Sequence, residues 1–205
     1  MKLILNLLII LPVVALAQAQ TAEELRTQDM KKYAIESAEI AYEISGDAEG
    51  EENMIFKDYG WTSLRTRSMT FELYGISSTQ TLIELIDGDF VYRLSENDST
   101  YTMKKDYKWS QQASYKEPDL VSEAILFSMG GQQTEADSLL LGKTCQVYTF
   151  EGKALRELWV WKGLVMKRKA KLGDRLIETI ATKVEVDITP LEGLFEIPSY
   201  YQEKK

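Results

Sequence analysis

Thr79-Gln80-Thr81-Leu82-Ile83-Glu84-Leu85-Ile86-Asp87-Gly88-Asp89-Phe90-Val91-Tyr92-Arg93-Leu94-Ser95 decides the fold. Two strand-like runs, Thr79 to Ile86 and Phe90 to Ser95, flank Asp87-Gly88-Asp89, where glycine supplies the positive φ that a tight turn between antiparallel strands requires. The same pattern extends in both directions. Upstream, Ala38, Ile40, Tyr42 and Ile44 alternate with Glu39, Ala41 and Glu43 at the period of a half-buried strand. The cluster from Gly46 to Gly50 turns the chain into a second run, Asn53 to Tyr59, and Gly60 separates that from a third, Trp61 to Leu73. Tyr101 to Lys104 adds one more strand downstream. The meander resumes as Lys143 to Phe150, Leu155 to Trp161, Leu164 to Leu172 and Leu176 to Ile188, with turns at Glu151-Gly152, Lys162-Gly163 and Gly173-Asp174. Thr189-Pro190 ends it, and Leu191 to Phe195 with Ile197-Pro198 forms a C-terminal tie-down.

Two segments break the period. Thr21 to Lys32 reads as a short helix, with Thr21 as N-cap and Glu24 completing a capping box. Between Tyr107 and Gly131, Pro118 and Asp119 open a second helix whose broad apolar face holds Leu120, Val121, Ala124, Ile125 and Phe127, closed by Gly130-Gly131. Both are candidate lids on a sheet. The chain is therefore expected to be mainly β, with antiparallel strands in a meander and one helical insertion.

The N-terminus names a compartment. Lys2, the apolar run from Leu3 to Leu16, and small residues spaced before Gln18 or Gln20 are built like a secretory leader, residues 1–19, with a retained N-terminal anchor as the alternative, followed by one expected domain, residues 20–205. The expected destination is the periplasm, as a protein without a membrane anchor once the leader is cleaved. The formal charge of −8 becomes −9 without Lys2, which opposes nucleic acid and anionic membrane surfaces as partners. One cysteine, Cys145, forms no internal disulfide, and alternation places it beside Val147 on an apolar face. The chain has no histidine, which removes histidine-based triads and the usual histidine-containing zinc sites. Acid pairs Glu51-Glu52 and Asp87 with Asp89 lie where turns solvate charge, so no catalytic residue, metal or cofactor is expected. Asn97-Asp98-Ser99 fits a glycosylation sequon and equally reads as a turn. Lys167, Lys169 and Lys171 share a solvated strand face.

Phe56-Lys57-Asp58-Tyr59-Gly60 and Leu82 to Tyr92, then Leu141-Gly142-Lys143-Thr144-Cys145-Gln146-Val147-Tyr148, Leu158-Trp159-Val160-Trp161-Lys162-Gly163-Leu164 and Phe195-Glu196-Ile197-Pro198, occur in an order that resembles the lipoprotein-localisation-factor superfamily of exported proteins. Within it, the wording is similar to a sorting-like group from Bacteroidetes-type bacteria, over about residues 33 to 200. The resemblance implies a strongly curved antiparallel sheet, an incomplete barrel, whose concave face is capped by short helices. It also implies that the space between sheet and cap receives a lipid, a lipoprotein acyl chain or a segment of an envelope protein. Phe56, Leu120, Ala124, Phe127, Trp159 and Trp161 are the residues expected to line such a hydrophobic site, and ordinary core packing explains the same set. The superfamily's carrier locks its lid with an arginine; Arg65 and Arg67 stand nearest that role, and solvated strand positions describe them as well.

The functional expectation is a non-catalytic periplasmic binding protein for a hydrophobic ligand, with outer-membrane lipoprotein sorting as its setting. An envelope protein-interaction or sensor module is the alternative. An enzyme is disfavoured because no nucleophile has a matching activator.

Overall fold

The computed structural model describes residues 31–106 and 120–204. The predicted leader, the first predicted helix up to residue 30, and Pro118 and Asp119 of the second lie outside the described residues. The strands are β1 (Ala38–Gly46), β2 (Glu49–Lys57), β3 (Thr62–Leu73), β4 (Ile76–Asp87), β5 (Phe90–Ser95) and β6 (Thr100–Lys105). A helix, α1 (Val121–Ser128), then precedes β7 (Gln132–Gln133), β8 (Ser138–Leu140), β9 (Lys143–Thr149), β10 (Leu155–Trp161), β11 (Leu164–Leu172), β12 (Arg175–Val186) and β13 (Gln202–Glu203). They form one curved sheet, in the order β13-β6-β5-β4-β3-β2-β1-β12-β11-β10-β9-β7 with β8 pairing β9 off this path, that is not closed into a barrel. The predicted incomplete barrel is therefore present, with α1 as its single described α-helix.

The two meanders meet at β1, which pairs antiparallel with β2 on one side and β12 on the other, so that Ala38 lies opposite both Phe56 and Val186. Register shifts at Ala41/Tyr42 in β1–β12 and at Trp159/Val160 in β10–β11 mark bulges. Such bulges bend and twist a strand, and they help to curve a sheet this wide.

The hairpin that decides the fold is built as its sequence demands. Gly88 has φ +55°, its N–H donates to the Trp61 carbonyl at 2.9 Å, and a Cβ there would stand 2.5 Å from the Trp61 indole. Gly88→Ala combines left-handed strain with overpacking of a buried tryptophan. It is expected to cost about 2–3 kcal/mol in denaturant unfolding. A loss below about 0.5 kcal/mol would show that this turn relaxes freely.

One cluster of the core joins Tyr33, Ile35, Ala38, Ile40, Tyr42, Met54 and Phe56 to Cys145, Leu164, Met166 and Ala181. Cys145 is fully buried, and burial pushes its thiol up, as suits a small apolar side chain. A second cluster seats α1, with Leu126 against Tyr148, Phe150, Leu158 and Val160. The C-terminal tie-down is also present. Ser37 Oγ donates to the Ile188 carbonyl at 2.7 Å, Lys57 lies over the Phe195 ring at 5.3 Å, and β13 pairs parallel with β6. Beside it, hydrogen bonds from Ser95, Thr100 and Lys204 hold the Asp98 carboxyl down at about 2, so the Asn97-Asp98-Ser99 triplet is a working turn.

Candidate functional site

Directly opposed residues of antiparallel strands share a face. From Phe56, Met54 and Glu52 on β2, the register leads to Ser63, Arg65 and Arg67 on β3, and to Ile86, Glu84 and Leu82 on β4. It continues to Val91 and Arg93 on β5, and to Lys104 and Thr102 on β6. This inner face is apolar toward β1 and becomes charged one row along. Over its β4–β6 part lie Lys32 and α1, which is tied to the preceding segment by the Val121 N–H donating to the Lys31 carbonyl at 2.9 Å. Between them is a hollow of about 280 Å³. Ile86, Val91, Val121 and Ile125 give it apolar walls; Lys32, Glu84, Arg93, Thr102, Lys104 and Asp106 give it polar ones.

A second feature sits one strand away. Glu52, with a side chain only 5% exposed, faces three guanidinium groups: Arg65 Nε at 3.5 Å, Arg168 Nη2 at 3.5 Å and Arg67 Nη1 at 3.9 Å. Glu84, opposite Arg65 in the register, pairs with Arg93 at 3.0 Å. Burial acts to lower the Arg65 pKa and Glu52 acts against it, leaving it raised; burial lowers that of Arg67. The same floor holds Tyr42, whose hydroxyl donates to the Val165 carbonyl at 2.9 Å and whose pKa burial raises, so the phenol stays neutral. Tyr33, Tyr42, Glu52, Met54, Arg65, Val165, Arg168 and Thr179 enclose a small cavity of about 70 Å³ here.

The six residues expected to line a hydrophobic site are not gathered around the hollow. Phe56 is fully buried in the core, its ring 4.6 Å from that of Tyr33. Ala124 is buried, Leu120 is half-buried, and Phe127 is 54% exposed with its ring 6.5 Å from that of Tyr148. Pairing with Val147 puts Trp159, and with it Trp161, on the face opposite Leu158 and Val160. Lys167 lies 4.7 Å from the Trp159 ring and Lys143 lies 4.2 Å from that of Trp161. The helix does face the hollow, through Val121 and Ile125 instead. Arg65 and Arg67 both point to the inner face, where each pairs with Glu52 on β2. The sequence reading missed Glu52, Arg168, Lys32 and Lys104. Arg168 has the only signal among these: strand alternation sends it to the face opposite Lys167 and Lys169, a charge in an otherwise apolar row.

No group of three or more metal-ligating acidic or cysteine side chains occurs among the described residues, and no described helix is long and apolar enough to cross a membrane. No family model matches the chain, and no curated protein matches it. Among solved structures, an uncharacterized conserved protein from Thermus thermophilus superposes with a TM-score of 0.51 at 10% identity, over 90% of this chain and 100% of its own. That likeness shows the fold. LprF from Mycobacterium bovis aligns at 8% identity and TM-score 0.36, over 83% of this chain and 92% of its own. A domain from Vibrio parahaemolyticus assigned to outer membrane lipoprotein sorting aligns at 9% identity and TM-score 0.25, over 85% and 94%. Superpositions that loose do not bear on function.

Proposed function

We propose that the protein is a non-catalytic binding protein of the cell envelope that holds a lipid, a lipoprotein acyl chain or a similar amphipathic ligand between the inner face and α1. The observation that carries this reading is the 280 Å³ hollow roofed by one eight-residue helix. Ligand cavities run from about 300 Å³ upward. The hollow therefore suits a single chain or a head group rather than a whole two-chain lipid. Its half-polar lining favours a ligand with two chemical ends over a purely oily one. The leader-like N-terminus and the resemblance of the strand phrases to lipoprotein-localisation factors support an envelope setting, with lipoprotein sorting as the finer proposal.

Ile125 is half-buried and faces the hollow from α1, so Ile125→Trp fills the space with little loss of existing packing. The expected outcome is about tenfold weaker uptake of a hydrophobic fluorescent dye or a short-chain lipid, equivalent to ~1.4 kcal/mol, at unchanged far-UV dichroism. Undiminished uptake would place the ligand elsewhere.

A further inference from the structure

Among the described residues, the ion pairs of the inner face set more guanidiniums than carboxylates against one another. Arg65, Arg67, Arg168 and Arg93 face two carboxylates, Glu52 and Glu84. Around Glu52 the contacts are loose, 3.5–3.9 Å, where charge-assisted hydrogen bonds close to about 2.7–2.9 Å. Consistent with this, the buried Glu52 Oε2 and Arg65 Nε atoms have no hydrogen-bond partner. Each guanidinium offers five donors in a fixed fork, and half-buried positive charge is stable chiefly when paired. Arg65 and Arg168 line the 70 Å³ cavity, and about 10–15 Å³ suffices for a water. Arg67 and Glu52 also border an open groove of about 620 Å³, which gives solvent access and is edged by the carboxylates of Glu43, Glu51 and Glu96.

We propose that Arg65, Arg67 and Arg168 form a seat for the phosphate group of an anionic ligand, with Glu52 holding the three guanidiniums in register. This deepens the proposed function and rests on it for where the remainder of the ligand lies. Phosphate fits better than carboxylate on charge and count: about −1.5 to −2 against three guanidiniums that share one paired carboxylate, and three acceptor oxygens for three arginines. Glu84 links the two places, since it lines the α1 hollow and stands opposite Arg65, one strand spacing away.

The test is calorimetric titration of a short single-chain lysophosphatidic acid, the matching monoacylglycerol and inorganic phosphate into the wild type, Arg67→Gln, Arg168→Gln and, as control, the exposed Arg156→Gln. Lysophosphatidic acid is expected to bind at least about tenfold more tightly than the neutral monoacylglycerol. Arg67→Gln and Arg168→Gln should each erase most of that difference, and Arg156→Gln should not. Arg168→Lys, which keeps the charge and loses the fork, should fall between and covers the case in which a glutamine variant does not fold. Inorganic phosphate binding as tightly as the lipid, with the same arginine dependence, supports the seat and identifies the free ion as its source. If only phosphate binds, the seat stands and the hollow as a lipid site falls. Equal affinity for the two lipids, unchanged by the arginine variants, overturns the seat and leaves the hollow. No binding of any of the three overturns both.

Discussion

Phe56→Ala is expected to lower the unfolding free energy by about 3–5 kcal/mol. Phe56 is fully buried, stacks on Tyr33 and lies opposite Ala38 on β1 and Ser63 on β3. Small side chains on both flanks leave its ring as the main filling of that part of the inner face. Neither neighbour can swing in to close the cavity left behind, and the cost of such substitutions rises with the volume that stays empty. For a domain of this size the loss corresponds to roughly 10 °C in Tm. Urea unfolding followed by tryptophan emission measures it. A loss under about 1 kcal/mol would show that Phe56 is not a centre of the core.

Glu52→Gln is the second large effect, and it acts through charge. The substitution keeps shape and removes the one carboxylate that three arginines share. Breaking a buried pair costs about 3–5 kcal/mol. The three guanidiniums are each about 30% exposed, so solvent screens part of this and a loss of ~2 kcal/mol is expected. The deficit should shrink as salt rises, since added ions screen the remaining repulsion. If the arginines seat a phosphate, a saturating phosphate-bearing ligand should also restore part of the stability through binding to the native state. A variant as stable as the wild type at low salt would mean that Glu52 is incidental to the arginines' arrangement.

The parts of the fold that local chemistry writes were legible. The strand alternation, most of the glycine turns and the described part of the inserted helix appear where the residues place them. Turns without a familiar signature were not: Tyr74-Gly75 joins β3 to β4 with positive φ at both positions, 52° and 77°, yet tyrosine is an uncommon residue there. Gly50, read as part of a turn, lies inside β2, where a Cβ would stand 2.0 Å from the Ser68 carbonyl oxygen. Its role is close approach of two backbones, which no sequence window reveals. The pairing of β1 with β12 joins residues about 140 positions apart, and only the folded register states it.

The candidate site was legible in outline alone. Alternation identifies which strand residues share a face, but it does not tell a filled core from a hollow. Phe56 and Trp161 therefore looked like cavity walls, and the structure places Phe56 inside a core cluster against which Trp159 and Trp161 pack, half-buried. The arginines were visible as charges on apolar faces. Their common partner Glu52 was masked because its neighbour Glu51 is exposed, and the pair resembled a solvated turn.

Native mass spectrometry of the purified protein tests the central claim most directly. The expected spectrum shows an added mass in the range of a fatty acid or single-chain lipid on the wild type, lost in Ile125→Trp. Bare protein mass for the wild type, together with no uptake of added short-chain lipid, would contradict the claim that the hollow beneath α1 holds a ligand.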